Sequence, residues 1–170
     1  TINVTDVNEA PTDISLSNTS VAENAGANAT VGTLSTTDSE GGAMTYTITA
    51  GGTDFNINGS TLRATNSFDY EVTNSYSVTV RVTDGGSLTY DETFTINVTD
   101  VNEAPTDITL SNASVAENAG TDATVGTLST TDPEGGAMTY TITAGGTDFN
   151  ISGSTLRATN SFDYEVTNSY

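Results

Sequence analysis

Apolar and polar residues alternate without a break along three stretches of this chain. Tyr76, Val78, Val80 and Val82 take every second place in one, Phe94, Ile96 and Val98 in another, and Met44, Tyr46 and Ile48 in a third. Successive side chains of a strand point to opposite faces, so a period of two marks strands with one face buried and one wet. Thr fills many of the outward places, where its branched Cβ suits extended backbone. Nowhere do apolar residues recur at helical spacing over helical length. Asn58-Gly59, between 55–57 and 61–64, predicts a hairpin, and Gly41-Gly42, Gly51-Gly52 and Gly85-Gly86 mark other turns. The pattern predicts strands near 14–17, 30–36, 44–50, 54–58, 61–65, 76–83 and 90–99. Such a set of short antiparallel strands implies an all-β fold, a Greek-key β-sandwich of immunoglobulin-like architecture with about seven strands.

The strands belong to a repeat. Residues 1–76 align with 95–170 without gaps, and 70 of the 76 pairs are identical; the six differences are Ser15/Thr109, Thr19/Ala113, Ala27/Thr121, Asn28/Asp122, Ser39/Pro133 and Asn58/Ser152. A period of 94 residues exceeds that of a short-repeat solenoid and suits a small domain copied in tandem. The expected organisation is residues 1–5 as the last strand of a preceding repeat, 6–11 as a linker, 12–99 as the first repeat, 100–105 as a second linker, and 106–170 as a second repeat cut short at its C-terminal end. Val78, Val80, Val82, Phe94, Ile96 and Val98 have no counterparts in that second copy. Their burial is worth roughly 9–18 kcal/mol at about 1.5–3 kcal/mol each. The second copy is therefore expected to be marginal or partly open by itself.

Charge narrows the function. The chain has 22 acidic residues, three basic ones and no His, for a net charge of -19. Phosphate recognition needs Lys and Arg clusters, so neither nucleic acid nor an anionic membrane surface is an expected partner. There is no Cys, hence no disulfide framework. No run of 18 apolar residues predicts a membrane span in this segment. The first residue is Thr1, inside a strand-like stretch, which suggests an excerpt of a longer polypeptide.

The carboxylates gather in short clusters: Glu23, Asp38 with Glu40, Asp69 with Glu71, Asp84, and Asp100 with Asn102 and Glu103. Acidic residues at strand ends commonly serve solubility and edge protection. Calcium is the alternative, since it takes six to eight oxygen ligands in irregular geometry, whereas zinc and copper favour His and Cys. Paired carboxylates also serve glycosidases, but here they recur in each repeat, and a repeat this small offers no deep cleft. No enzyme activity is expected.

In order along the chain, Glu23-Asn24, Asp38-Ser39-Glu40, Phe68-Asp69-Tyr70-Glu71, Thr83-Asp84-Gly85-Gly86 and Asp100-Val101-Asn102-Glu103-Ala104-Pro105 resemble the marker motifs of cadherin repeats in their bacterial cadherin-like form. The resemblance spans the whole chain. Three departures stand out: Tyr70 replaces the family's Arg, Glu103 replaces an Asp, and Ala104 replaces an Asn. The chain also lacks Trp, so the family's strand-swapped pairing through a Trp is not available.

The resemblance implies a calcium site shared by the two repeats, with about three ions. Its ligands would be Glu23, Asp69 and Glu71 from the first repeat, Asp100, Asn102 and Glu103 from the linker, and Asp132 and Glu134 from the second, helped by the carbonyls of Val101 and Ala104. Asp6, Asn8, Glu9, Asp38, Glu40 and Asp84 would form an N-terminal partial site, and Glu117, Asp163 and Glu165 a C-terminal one. Seven carboxylates facing three divalent ions nearly cancel. Without metal, carboxylates about 4 Å apart repel by roughly 4 kcal/mol per pair at an effective dielectric near 20. The implied role is a calcium-stiffened stalk or extender of a surface adhesin, extracellular, on a cell surface or secreted, in cell adhesion or biofilm. Its partners would be neighbouring repeats, with cells or glycans met through a distal domain. The alternative is that the repeats themselves bind, by homophilic or glycan contacts, with Leu88 and Tyr90 as candidate contact residues.

Overall fold

A computed structural model describes residues 1–169. The chain folds as two compact units, Thr1–Val101 and Asn102 onward. The described residues contain strands and no helix.

The first unit has eight strands: β1 (Asp13–Leu16), β2 (Ser20–Ala22), β3 (Thr30–Thr37), β4 (Thr45–Ala50), β5 (Phe55–Asn58), β6 (Thr61–Ala64), β7 (Ser75–Thr83) and β8 (Thr89–Thr99). One sheet runs β1-β3-β6-β5 and the other β2-β8-β7-β4. All pairings are antiparallel except β2 with β8, where Val21 lies beside Val98. The seven strands expected from sequence are present within a residue or two, and the sandwich class holds. The eighth, β2, was not expected. Ser-Val-Ala is too short to show alternation, and it becomes a strand because β8 offers a ladder.

The chain passes from one sheet to the other between β1 and β2. Asn18 organises that crossing by donating through Nδ2 to the Ser20 carbonyl at 2.6 Å and the Val31 carbonyl at 2.7 Å. The hairpin between β5 and β6 falls where Asn58-Gly59 predicts it, but Asn58 pairs with Thr61, so the two-residue loop is Gly59-Ser60. Gly59 has φ +62°, the left-handed value that a type II′ turn asks of its first loop residue.

The inward residues of the alternating stretches make the core. Val78, Val80, Val82, Ile96 and Leu62 are fully buried, with Ile14, Val31, Leu34, Phe55 and Phe68 close behind. Phe68 packs its ring 4.5 Å from Tyr76 and 5.6 Å from Phe55, closing one end of the sandwich in a tilted aromatic cluster. Tyr46, Tyr76 and Phe94, expected in the core, are partly buried against it. On the outer face Arg81 grips Asp91 on the facing strand with two bonds, 2.7 and 2.8 Å.

The second unit contains β9 (Asp107–Leu110), β10 (Thr124–Thr131), β11 (Phe149–Ser152) and β12 (Thr155–Ala158), in one sheet of order β11-β12-β10-β9. Its registers repeat those of β1, β3, β5 and β6, down to the irregularity between Thr124 and Gly126. Residues 139–144 have the same sequence as β4, and 114–116 the same as β2, yet neither joins a ladder. In the first unit those segments pair with β7 and β8. An alternating pattern thus becomes strand only where a partner edge is supplied. Core burial follows. Ile14 is 2% exposed, and its counterpart Ile108 is 66% exposed.

Residues 1–5, expected as a last strand, join no sheet, and Ile2 and Val4 are 94% and 95% exposed. With no neighbouring edge to pair with, a five-residue strand has nothing to hold it.

Candidate metal centre

The candidate ligands lie at the ends of each sandwich, where strands give way to loops. At one end of the first unit, Asp84 leaves β7 and folds its loop back on itself. Its Oδ1 accepts from the Leu88 N–H at 2.8 Å and its Oδ2 from Asn8 Nδ2 at 2.8 Å. The Asn8 bond, followed by the loop N–H groups, holds the Asp84 carboxyl below its ordinary range. Asn8 seats closely on the loop, since a Cβ on Gly86 would stand 2.5 Å from its Nδ2. The Gly85-Gly86 doublet signalled a turn, but nothing in the sequence signalled this seat.

Beside Asp84, the Glu9 N–H donates to Glu40 Oε2 at 3.0 Å. Glu40 hydrogen-bonds and repels the Glu9 carboxyl and so pushes it up, while the Glu9 N–H holds Glu40 down. Asp6 is exposed and adds its charge to Glu9. Asp38 completes this end. Both of its carboxylate oxygens are shut off from solvent, and neither has a hydrogen-bond partner. A carboxylate so placed carries a large desolvation cost unless a cation meets it. The six residues of the N-terminal partial site therefore come to one end of one unit.

At the other end of the first unit, Glu23 follows β2 and is 2% exposed. Its Oε2 accepts from the Tyr70 N–H and its Oε1 from the Val101 N–H, both at 2.7 Å. Val101, named as a carbonyl ligand, here contributes its N–H to Glu23. Asn24 turns the chain with φ 54°, a left-handed value that Asn tolerates better than most residues, which accounts for the Glu-Asn pair. Asp69 Oδ1 accepts from the Val72 N–H at 3.0 Å, closing the turn that carries Glu71. Glu23 and Glu71 each offer an oxygen within 4.8 Å of the other. Asp100 is exposed just past β8.

In the second unit, the Glu103 N–H donates to Glu134 Oε1 at 3.0 Å, as Glu9 does to Glu40. Asn102 Nδ2 donates to the Glu103 carbonyl at 3.0 Å. Asp132 is half-buried, its carbonyl accepting from the Gly135 N–H, and Ala104 is exposed. At that unit's other end, Glu117, Asp163 and Glu165 bring one oxygen each within 4.8 Å of one another. The Tyr164 N–H reaches Glu117 Oε2 at 3.2 Å, a looser version of the bond from Tyr70 to Glu23. Glu117 is exposed where Glu23 is buried.

All these donors are carboxylate, amide or backbone oxygens, and the chain holds no His or Cys. Hard oxygen ligands in irregular loops fit calcium. The strand-poor connections that carry them, and the unpaired Asp38, are compatible with that ion.

The family model for the cadherin domain matches residues 17–99. Among solved structures, human protocadherin-24 EC1-2 aligns with 94% of this chain and 81% of its own, at 19% identity and a TM-score of 0.70. Protocadherin gamma B7 extracellular cadherin domains 1-4 align over 93% of this chain at 20% identity and a TM-score of 0.60. Mouse cadherin-23 EC22-24 aligns over 92% at 18% identity and 0.59. The chain spans 44% of the protocadherin gamma B7 structure and 56% of the cadherin-23 one. At these identities the structures speak for the fold. The family match covers the first repeat, which the second copy follows almost residue for residue over the length they share, so the repeats are similar to the cadherin domain and take its fold.

Proposed function

We propose that the chain is an extracellular adhesion segment whose repeats hold calcium at their ends and are stiffened by it. The observation that carries this reading is Asp38, whose two oxygens are shielded and unpartnered at an end already crowded with Glu9, Glu40 and Asp84. A cation at those two oxygens would offset the cost of shielding the charge. Asp38, Glu40, Asp84, Asp6, Asn8 and Glu9 would hold it there.

The same logic extends to the middle of the chain. Glu23, Asp69, Glu71 and Asp100 would supply one part of a site, and Asn102, Glu103, Asp132 and Glu134 the other, with the Val101 and Ala104 carbonyls. Glu117, Asp163 and Glu165 would serve a repeat that follows. Bound calcium supplies charge cancellation. Glu23 is preorganised for it by two backbone N–H donors, which fix the carboxylate without using all of its lone pairs. A string of repeats held this way acts as an extender, and near-identical copies suit a spacer, which depends on number. Neighbouring repeats are its partners, and a distal domain would meet cells or glycans.

Small-angle scattering on the chain with calcium and with chelator tests the reading. The expected result is a larger, narrower distribution of dimensions with calcium. An unchanged radius of gyration would contradict it.

A further inference from the structure

The β5–β6 hairpin turns on Asn58-Gly59, the only Asn-Gly in the sequence. The second unit makes the same hairpin. Ser152 pairs with Thr155 as Asn58 pairs with Thr61, and Gly153 has φ +63° where Gly59 has +62°. Residues 50–65 and 144–159 differ at that one position. The turn therefore forms without the asparagine, and what Asn58 adds is chemical. It sets a side-chain amide carbon next to a glycine nitrogen.

Asn58 and Gly59 are both exposed. The Asn58 side chain has no hydrogen-bond partner among the described residues. Asn56, two residues earlier, is held at both ends, accepting from Arg63 Nε at 3.2 Å and donating to the Ala64 carbonyl at 3.4 Å. A Cβ on Gly59 would meet nothing within 4 Å, so the space around its nitrogen is open. A nitrogen whose residue has no Cβ is the least hindered nucleophile a following residue can offer.

We propose that Asn58 is a site of spontaneous modification, deamidating through a cyclic imide formed with Gly59, and that the second unit is immune at the matching place. Base removes the Gly59 amide proton, and the nitrogen attacks Asn58 Cγ. The new N–Cγ bond closes the ring, the Cγ–Nδ2 bond breaks, and Nδ2 takes a proton from water and leaves as ammonia. Water then opens the imide. Cleavage of the bond to Cγ gives aspartate at position 58 on an unchanged main chain. Cleavage of the bond to the original backbone carbonyl carbon gives isoaspartate, whose main chain is one atom longer. The only co-reactant is water. Ser152 has no carbonyl carbon in its side chain, so the first step fails there.

The two products differ in effect. Asn58 and Thr61 are register partners, the next pair joins Ile57 to the fully buried Leu62, and the Leu34 N–H holds the Ser60 carbonyl at 2.7 Å. An extra main-chain atom between these fixed points displaces the Asn58–Thr61 pair. The isoaspartate form should therefore melt below the parent, whereas the aspartate form keeps the hairpin and adds one negative charge.

The full chain, held for days at mildly alkaline pH and then digested, gives the extent of deamidation at each Asn by tandem mass spectrometry, and enzymatic methylation reads isoaspartate. Deamidation at Asn58 should run several-fold faster than at Asn66 or Asn74, which are exposed but followed by Ser. Its rate should rise with pH, because the nucleophile is the deprotonated nitrogen. Asn58→Ser should abolish the modification and leave the melting temperature unchanged, as the matching register of the second unit implies. The same incubation in denaturant supplies the rate of the unfolded chain. Modification at position 58 in denaturant but not in the folded chain would overturn the proposal, and so would equal rates at Asn58, Asn66 and Asn74.

Discussion

Glu23 Oε1 accepts the Val101 backbone N–H at 2.7 Å, joining residues 78 apart in sequence. The bond ties the end of β2 to the point where the chain leaves β8, and Tyr70 N–H occupies the other oxygen of the same carboxylate. Replacing Glu23 by Ala would remove the acceptor of two part-buried backbone N–H groups, about 1 kcal/mol each. Glu117→Ala removes one longer bond at an exposed site. Thermal denaturation should show a large loss for Glu23→Ala and little for Glu117→Ala. Glu23→Gln should also weaken calcium binding strongly and Glu117→Gln hardly at all. Equal losses in both would place the ions elsewhere.

The Asn8 seat gives a second expectation. Gly86→Ala puts a Cβ where the Asn8 amide lies, so the Asn8 bond to Asp84 must break or lengthen. Calcium affinity at the N-terminal end should fall, and Gly85→Ala, which meets open space, should leave it unchanged. Calorimetric titration of the two variants separates them.

Asp84 also sets a pH dependence. Its folded carboxyl lies below the ordinary value of 3.8, chiefly through the Asn8 bond. A group held down in the folded state stabilises above its unfolded value, and that contribution is lost as pH falls through the folded value. In chelator, wild type should therefore exceed Asp84→Asn in melting temperature at neutral pH, and the gap should shrink below about pH 4. A gap constant down to pH 2 would show that ionised Asp84 contributes nothing.

Two identical segments offer a third comparison. Residues 45–50 and 139–144 share their sequence, but only the first pairs, with β7. Hydrogen exchange on a proven monomer should show strong protection in 45–50 and near-free exchange in 139–144. Equal protection would mean that the pattern alone makes the strand.

That comparison shows where sequence reading works and stops. Val78, Val80, Val82, Ile96 and Val98 declared both their strands and their burial, because each alternation is long enough to fix a face. Ser20–Ala22 was silent, since three residues hold no period, and its state depends on β8. The acidic residues were legible as clusters, and their gathering at strand ends follows from the turns between strands. What the sequence hid was which backbone N–H each carboxylate holds. Glu23 between Tyr70 and Val101, and Asp38 without any partner, are outcomes of loops meeting across long separations.

Calcium titration of the chain by calorimetry, beside the variant Asp38→Asn, tests the central claim most directly. The account predicts saturable binding with Kd in the range of extracellular modules, about 10⁻⁴ to 10⁻³ M. It also predicts that Asp38→Asn loses binding stoichiometry and melts no lower than wild type in chelator, since the orphaned charge is then removed. No heat of binding at calcium concentrations about tenfold above that range, or an Asp38→Asn isotherm identical to wild type, would contradict it.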